Sequence, residues 1–103
     1  MGDRFIVGEV YFRVKYPDIL MRYPLFDSFV FVGKNLSDED TEDTWYFQFA
    51  DSYGKHGSIL ESPGGDRRVA CVNRSELHEM LNDEEMVEEL EAARSRRRAE
   101  REK

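Results

Sequence analysis

The chain has 103 residues and a formal net charge of −7, enough for one domain with a core of its own and too short for two. By surface scaling, roughly 65% of the unfolded chain's surface is buried on folding, so neither a disulfide nor a structural metal is required. The single cysteine, Cys71, excludes an internal disulfide, and the acidic balance disfavours nucleic acid as the main partner.

Residues 5–14 alternate in polarity, with Ile6, Gly8, Val10, Phe12 and Val14 on one face, which predicts a half-buried strand over about 4–15. Tyr16-Pro17-Asp18 ends it, because proline lacks a donor and restricts the residue before it. Ile19 to Tyr23 reads as a short helical turn closed by Pro24. A second strand, about 28–34, is apolar on both faces and so expected in the centre of the sheet. Its run Phe29-Val30-Phe31-Val32 is far too short to cross a bilayer, and no charged-then-apolar leader opens the chain; the cytoplasm is the expected compartment.

Ser37 to Asp43 contains no apolar residue and reads as an exposed loop. The next stretch is ambiguous. Trp45, Phe47 and Phe49 alternate as in a strand, yet Trp45, Tyr46, Phe49, Ala50 and Tyr53 also fall at helical spacing. The density of aromatics favours a strand over 44–51. Short strands follow over 57–61 and 68–73, joined through the turn signal Pro63-Gly64-Gly65-Asp66. Ser75 then suits the start of a helix, Asn82-Asp83 a kink or restart, and Leu77, Leu81, Met86, Val87 and Leu90 an apolar stripe over about 75–98.

These elements define an α+β fold: a mostly antiparallel sheet of four to five strands covered by one or more C-terminal helices. Residues 1–93 form the single domain, and 94–103 a basic helix end or flexible tail. All thirteen aromatic residues lie between Phe5 and Tyr53, so the first half supplies the core and the later helix an aliphatic cover. Charge is unevenly spread: residues 37–66 carry eight acids against one base, residues 94–103 six bases against two acids.

Tests for chemistry mostly fail. Set on a calcium loop, Asp38, Asp40 and Glu42 put Asp43 where glycine is required and Phe49 where the closing glutamate belongs. His56 and His78 have no second ligand at metal spacing, nothing nearby activates Cys71, and Gly64-Gly65 lacks the lysine of a phosphate loop. No catalytic residue, metal or cofactor is assigned. Phe29-Val30-Phe31-Val32-Gly33-Lys34-Asn35-Leu36, followed by Thr41-Glu42-Asp43, resembles the first strand and helix start of an RNA-recognition-motif domain. Tyr53-Gly54 and Val69 to Val72 fall at about matching distances, over residues 29–82. The resemblance implies base stacking on Phe29 or Phe31 and a helix over 41–53. Val69 to Val72, however, offers no aromatic for stacking, and an acidic helix stands where the fourth strand belongs.

The favoured reading is a small acidic, non-enzymatic protein-binding module, of the type of an inhibitor or immunity protein for a basic partner. Its contacts would be Asp38, Glu39, Asp40, Glu42, Asp43, Trp45 and Tyr53. Three alternatives stand beside it: RNA binding through the aromatic face or the arginine-rich tail; a small-ligand protein or enzyme with a pocket at Tyr46, Gln48 and His56; and a homodimer through Met86, Val87 and Leu90.

Overall fold

The computed structural model describes residues 4–61 and 68–102. Five strands form one antiparallel sheet: β1 (Val10–Lys15), β2 (Leu25–Lys34), β3 (Thr44–Phe49), β4 (Val69–Asn73) and β5 (Met80–Leu81). Helix α1 (Ala50–His56) follows β3 and packs against β2 and β3. Helix α2 (Asp83–Arg101) ends the fold beside β1 and β5. The class is α+β, as the sequence predicts.

The strand order is β4-β3-β2-β1-β5, a four-strand meander with the fifth strand added beside the first. Six residues, Arg74–Glu79, wound as a 3₁₀ segment, carry the chain from one edge of the sheet to the other. Such a segment spans about 12 Å, whereas four strand spacings on a flat sheet span about 19 Å. The sheet must therefore curl. Its inner face carries Tyr11, Phe29, Phe31, Trp45, Phe47, Val72 and Met80, with Phe5 folded in beneath them. The rings meet mainly edge to face: Phe5 lies 5.0 Å from Tyr11 at 78° and 5.3 Å from Phe47 at 86°, the arrangement that ring quadrupoles favour.

Several elements differ from expectation. The first strand begins at Val10, not residue 4, because Gly8 takes φ 91°, a conformation open to glycine at little cost. The chain turns there, with Glu9 N–H donating to the Ile6 carbonyl at 3.1 Å, and the reversal delivers Phe5 to the core. Residues 19–23 are not helical; they form the tip of the loop between β1 and β2. The ambiguous stretch after residue 43 is strand to Phe49 and helix from Ala50. Buried Gln48 fixes that change of direction. Its amide donates to Ser52 Oγ at 3.2 Å and the Gly57 carbonyl at 3.0 Å, and its oxygen accepts from Ile59 N–H at 3.0 Å. Residues 57–61 are consequently a turn rather than a strand, with Glu61 N–H bonded to the Ser58 carbonyl. The expected turn at 63–66 lies outside the described residues.

The long C-terminal helix is interrupted too. Asn73 and Asn82 each close a capping box, with Glu76 and Glu85 respectively, so the first cap is Asn73 rather than Ser75. Met80-Leu81 between them is the short strand that pairs with Phe12 and Arg13. The basic terminus is a helix end: α2 continues to Arg101.

Candidate functional site

The residues expected to meet a partner are not gathered on one surface. Trp45 is fully buried, so it is core and not contact. Asp40 accepts the Tyr46 hydroxyl at 2.6 and 2.8 Å through its two oxygens. Asp43 accepts from Asn35 at 3.2 Å and Arg74 at 2.7 Å, with Lys34 Nζ 3.5 Å away. Asn35 and Arg74 hold the Asp43 carboxyl below the usual range. Asp38, Glu39 and Glu42 are exposed, while Tyr53 is half-buried on α1. Two of the loop's five carboxylates, Asp40 and Asp43, are thus engaged in its own architecture.

The expected pocket does not form either. Tyr46 turns toward Asp40, Gln48 is buried under the α1 turn, and His56 is exposed at the end of α1. The Asp40 hydrogen bond, with burial, pushes the Tyr46 hydroxyl up to about 12. Burial and the Asp40 charge also raise the Cys71 thiol, opposite to the shift that makes a thiolate nucleophile. Among the described residues no group of three or more His, Cys, Asp or Glu side chains is placed to hold a metal, and no helix is long and apolar enough to cross a membrane. The RNA-recognition-motif likeness fails on structure. Residues 44–49 are strand where it implies helix, and Phe29 and Phe31 are buried in the core, where no base can stack.

The structure assembles a different surface at the opposite end of β2. Ten residues of strand at about 3.3 Å each separate the loop entering β2 from the acidic loop leaving it by about 33 Å. The entering loop exposes Ile19 (97%), Leu20, Met21 (42%) and Tyr23, and the first two residues of β2, Leu25 and Phe26, are exposed beside it. Apolar residues scattered singly on a surface are ordinary; a contiguous cluster is not.

This loop is braced rather than loose. The Asp18 carboxylate accepts from the backbone N–H of Arg22 at 2.9 Å and of Tyr23 at 3.1 Å, and from Arg22 Nε at 3.1 Å. Burial works to raise the Asp18 carboxyl, but these donors outweigh it and leave the group below its usual value. From α2, Arg96 donates to the Met21 carbonyl at 2.7 Å and Arg97 to the Arg22 carbonyl at 2.8 Å. Arg22 also faces Glu100 at 3.5 Å. At the base of the loop Tyr16 donates to Glu89, with Arg96 3.3 Å away; burial, then the Glu89 bond, raises its pKa. Two arginines of the supposed tail therefore hold a loop in shape, while exposed Arg94 and Arg101 border a groove with its Tyr23.

Within the braced loop Met21 has φ 56°. A side-chain-bearing residue other than Asn or Asp rarely adopts that region, at a cost of about 1–2 kcal/mol. Sequence reasoning missed the surface by treating Ile19 to Tyr23 as a short helical turn closed by Pro24. The available signal was three consecutive apolar residues confined between Pro17 and Pro24, since neither a one-turn helix nor a loop can hide all three. No protein-family model, curated protein or solved structure matches the chain.

Proposed function

We propose that the chain is a non-enzymatic protein-binding module that grips its partner with the apolar loop between β1 and β2. The observation that carries this reading is the combination at Met21: an apolar side chain, exposed, on strained backbone, inside a loop fixed by Asp18, Arg96 and Arg97. Strain of this kind persists only where surrounding structure imposes it, and it concentrates at functional positions. A loop fixed before binding loses little conformational entropy on contact, so exposed apolar area converts to affinity more fully. Arg94 and Arg101 near the loop suit a partner whose apolar contact is flanked by acidic groups.

The deciding experiment is affinity capture from native extract with the wild-type chain and with Ile19→Ser/Leu20→Ser. Loss of the captured protein from a variant of unchanged thermal midpoint is expected; equal capture overturns the reading. Co-sedimentation with anionic vesicles, abolished by the same variant, would reassign the loop to a lipid surface. A second reading, a basic partner at the opposite pole, is favoured by the exposure of Asp38, Glu39 and Glu42. Replacing those three with Asn or Gln separates the two, because each reading loses binding at one pole only.

A further inference from the structure

The outer side of α2 raises a question distinct from the loop tip. Met86 and Ala93 are buried, but Val87 (55% exposed) and Leu90 (37%) face out. With Pro24, Glu91, Arg94 and Arg97 they border an open groove. The helix is also polarised along its length. Asp83, Glu84, Glu85, Glu88, Glu89 and Glu91 fill its first half without a base, and all five of its arginines lie from Arg94 onward. The macrodipole favours such an order only within the first and last turns, so it leaves the middle of the pattern unexplained.

We infer that α2 is a self-complementary seam through which two copies of this chain pair antiparallel about a two-fold axis, Val87 of each packing on Leu90 of the other. Asp83, Val87, Leu90 and Arg94 lie four, three and four residues apart, the spacing of one helix face. A two-fold axis opposite the midpoint between Glu88 and Glu89 sets Val87 against Leu90 of the second copy. The same operation sets Asp83 against Arg94, and each contact occurs twice because the interface is isologous. An apolar centre closed at both ends by opposite charges results. A parallel pair would instead set acid against acid and base against base. The overlapping twelve residues make a seam about 18 Å long. It is small beside stable interfaces of roughly 1,200 Å² or more, so association is concentration-dependent. This inference does not rest on the loop-tip reading, and Ile19→Ser should leave it untouched.

Sedimentation equilibrium of the full chain over a concentration series provides the test. The wild type should shift from monomer toward dimer, and Leu90→Glu should hold it at monomer. Asp83→Arg and Arg94→Asp, each alone, place like charges together twice and should weaken self-association roughly tenfold or more. Mixing these two variants gives the decisive measurement. The mixed pair has both contacts restored with signs exchanged, so heterodimer should form where neither homodimer does. A variant that had merely misfolded could not produce that result. A wild type monomeric at every concentration, or a mixture no more associated than its components, overturns the proposal.

Discussion

The two loops that flank β2 solve the same problem with opposite materials. The loop leaving the strand, Asn35 to Asp43, is acidic and partnered by its own neighbourhood: Asp40 holds Tyr46, and Asp43 holds Asn35 and Arg74. The loop entering it, Tyr16 to Pro24, is apolar at the tip and held from behind through its backbone by Asp18, Arg96 and Arg97. Each has one residue other than glycine at positive φ, Asn35 at 53° and Met21 at 56°. Asparagine tolerates that conformation and methionine does not. In the acidic loop the side chains serve the fold. In the apolar loop the fold serves the side chains.

The largest effect should come from Trp45, the floor beneath the acidic loop. Trp45→Ala removes a fully buried ring and should cost about 3–5 kcal/mol, read as a drop in urea midpoint with near-native slope. A loss under about 1 kcal/mol would mean that the ring is a surface group after all. Next in size is a pair of opposite sign at the two positive-φ positions. Asn35→Ala loses a tolerant residue and the bonds to Thr44 N–H and Asp43, and should cost about 2 kcal/mol. Met21→Gly relieves strain but adds chain entropy to the unfolded state, so it should be neutral or stabilise by about 0.5–1 kcal/mol. Thermal or urea unfolding of both variants checks the signs. A destabilising Met21→Gly would remove the strain argument.

How far the sequence reaches is visible in the same residues. Alternation found the sheet, and aromatic density chose strand for Trp45 to Phe49, because those signals report local backbone geometry. What alternation could not register was Gly8, which keeps the polarity pattern while reversing the chain. The helix after Phe49 was hidden for a different reason: buried Gln48 holds its far end from nine and eleven residues back, through side-chain bonds to backbone that a polarity pattern does not register. The acidic loop was legible as exposed charge, but not its occupancy, since Tyr46 is turned toward Asp40 by its place in β3 and Arg74 reaches Asp43 only once β4 has paired with β3. Nor could Arg96 and Arg97 be read as braces for a loop some 75 residues earlier.

Titration sharpens the contrast between the loops. Asp18 and Asp43 both have lowered pKa values in the folded protein, so each stabilises its loop fully above the ordinary carboxylate value near pH 4. Each loses that contribution as pH falls through its lower folded value. Both loops should therefore loosen together in acid, seen as falling amide protection at Arg22, Tyr23 and Thr44, whose N–H groups donate to Asp18 and Asn35. In alkali the apolar loop depends on Tyr16 and the acidic loop on Tyr46, both of which have raised pKa values. The Tyr46 hydroxyl, raised to about 12 by the Asp40 hydrogen bond, stabilises the acidic loop fully below the ordinary tyrosine value near 10. That contribution disappears as pH rises through about 12. An ultraviolet tyrosinate titration should show Tyr16 and Tyr46 ionising late, of which only Tyr46 moves toward the ordinary range in Asp40→Asn. An unmoved transition would separate Tyr46 from Asp40.

The smallest expected effect on stability is the most informative. Ile19 is 97% exposed, so Ile19→Ser removes almost no buried area and should change unfolding free energy by less than about 0.5 kcal/mol. If the loop is only a connection, nothing else should change. If it is a contact surface, the same substitution should sharply weaken capture of the partner, because an exposed aliphatic side chain gains its burial only in a complex. The corresponding change in the acidic loop, Glu39→Gln, should also be neutral for stability and should leave that capture intact. The pair thus compares two exposed side chains about 33 Å apart on one strand's reach, each without a role in the fold, of which only the apolar one should matter to the partner. Equal losses from both would mean that the partner spans the whole length of β2 and that neither pole is the site by itself.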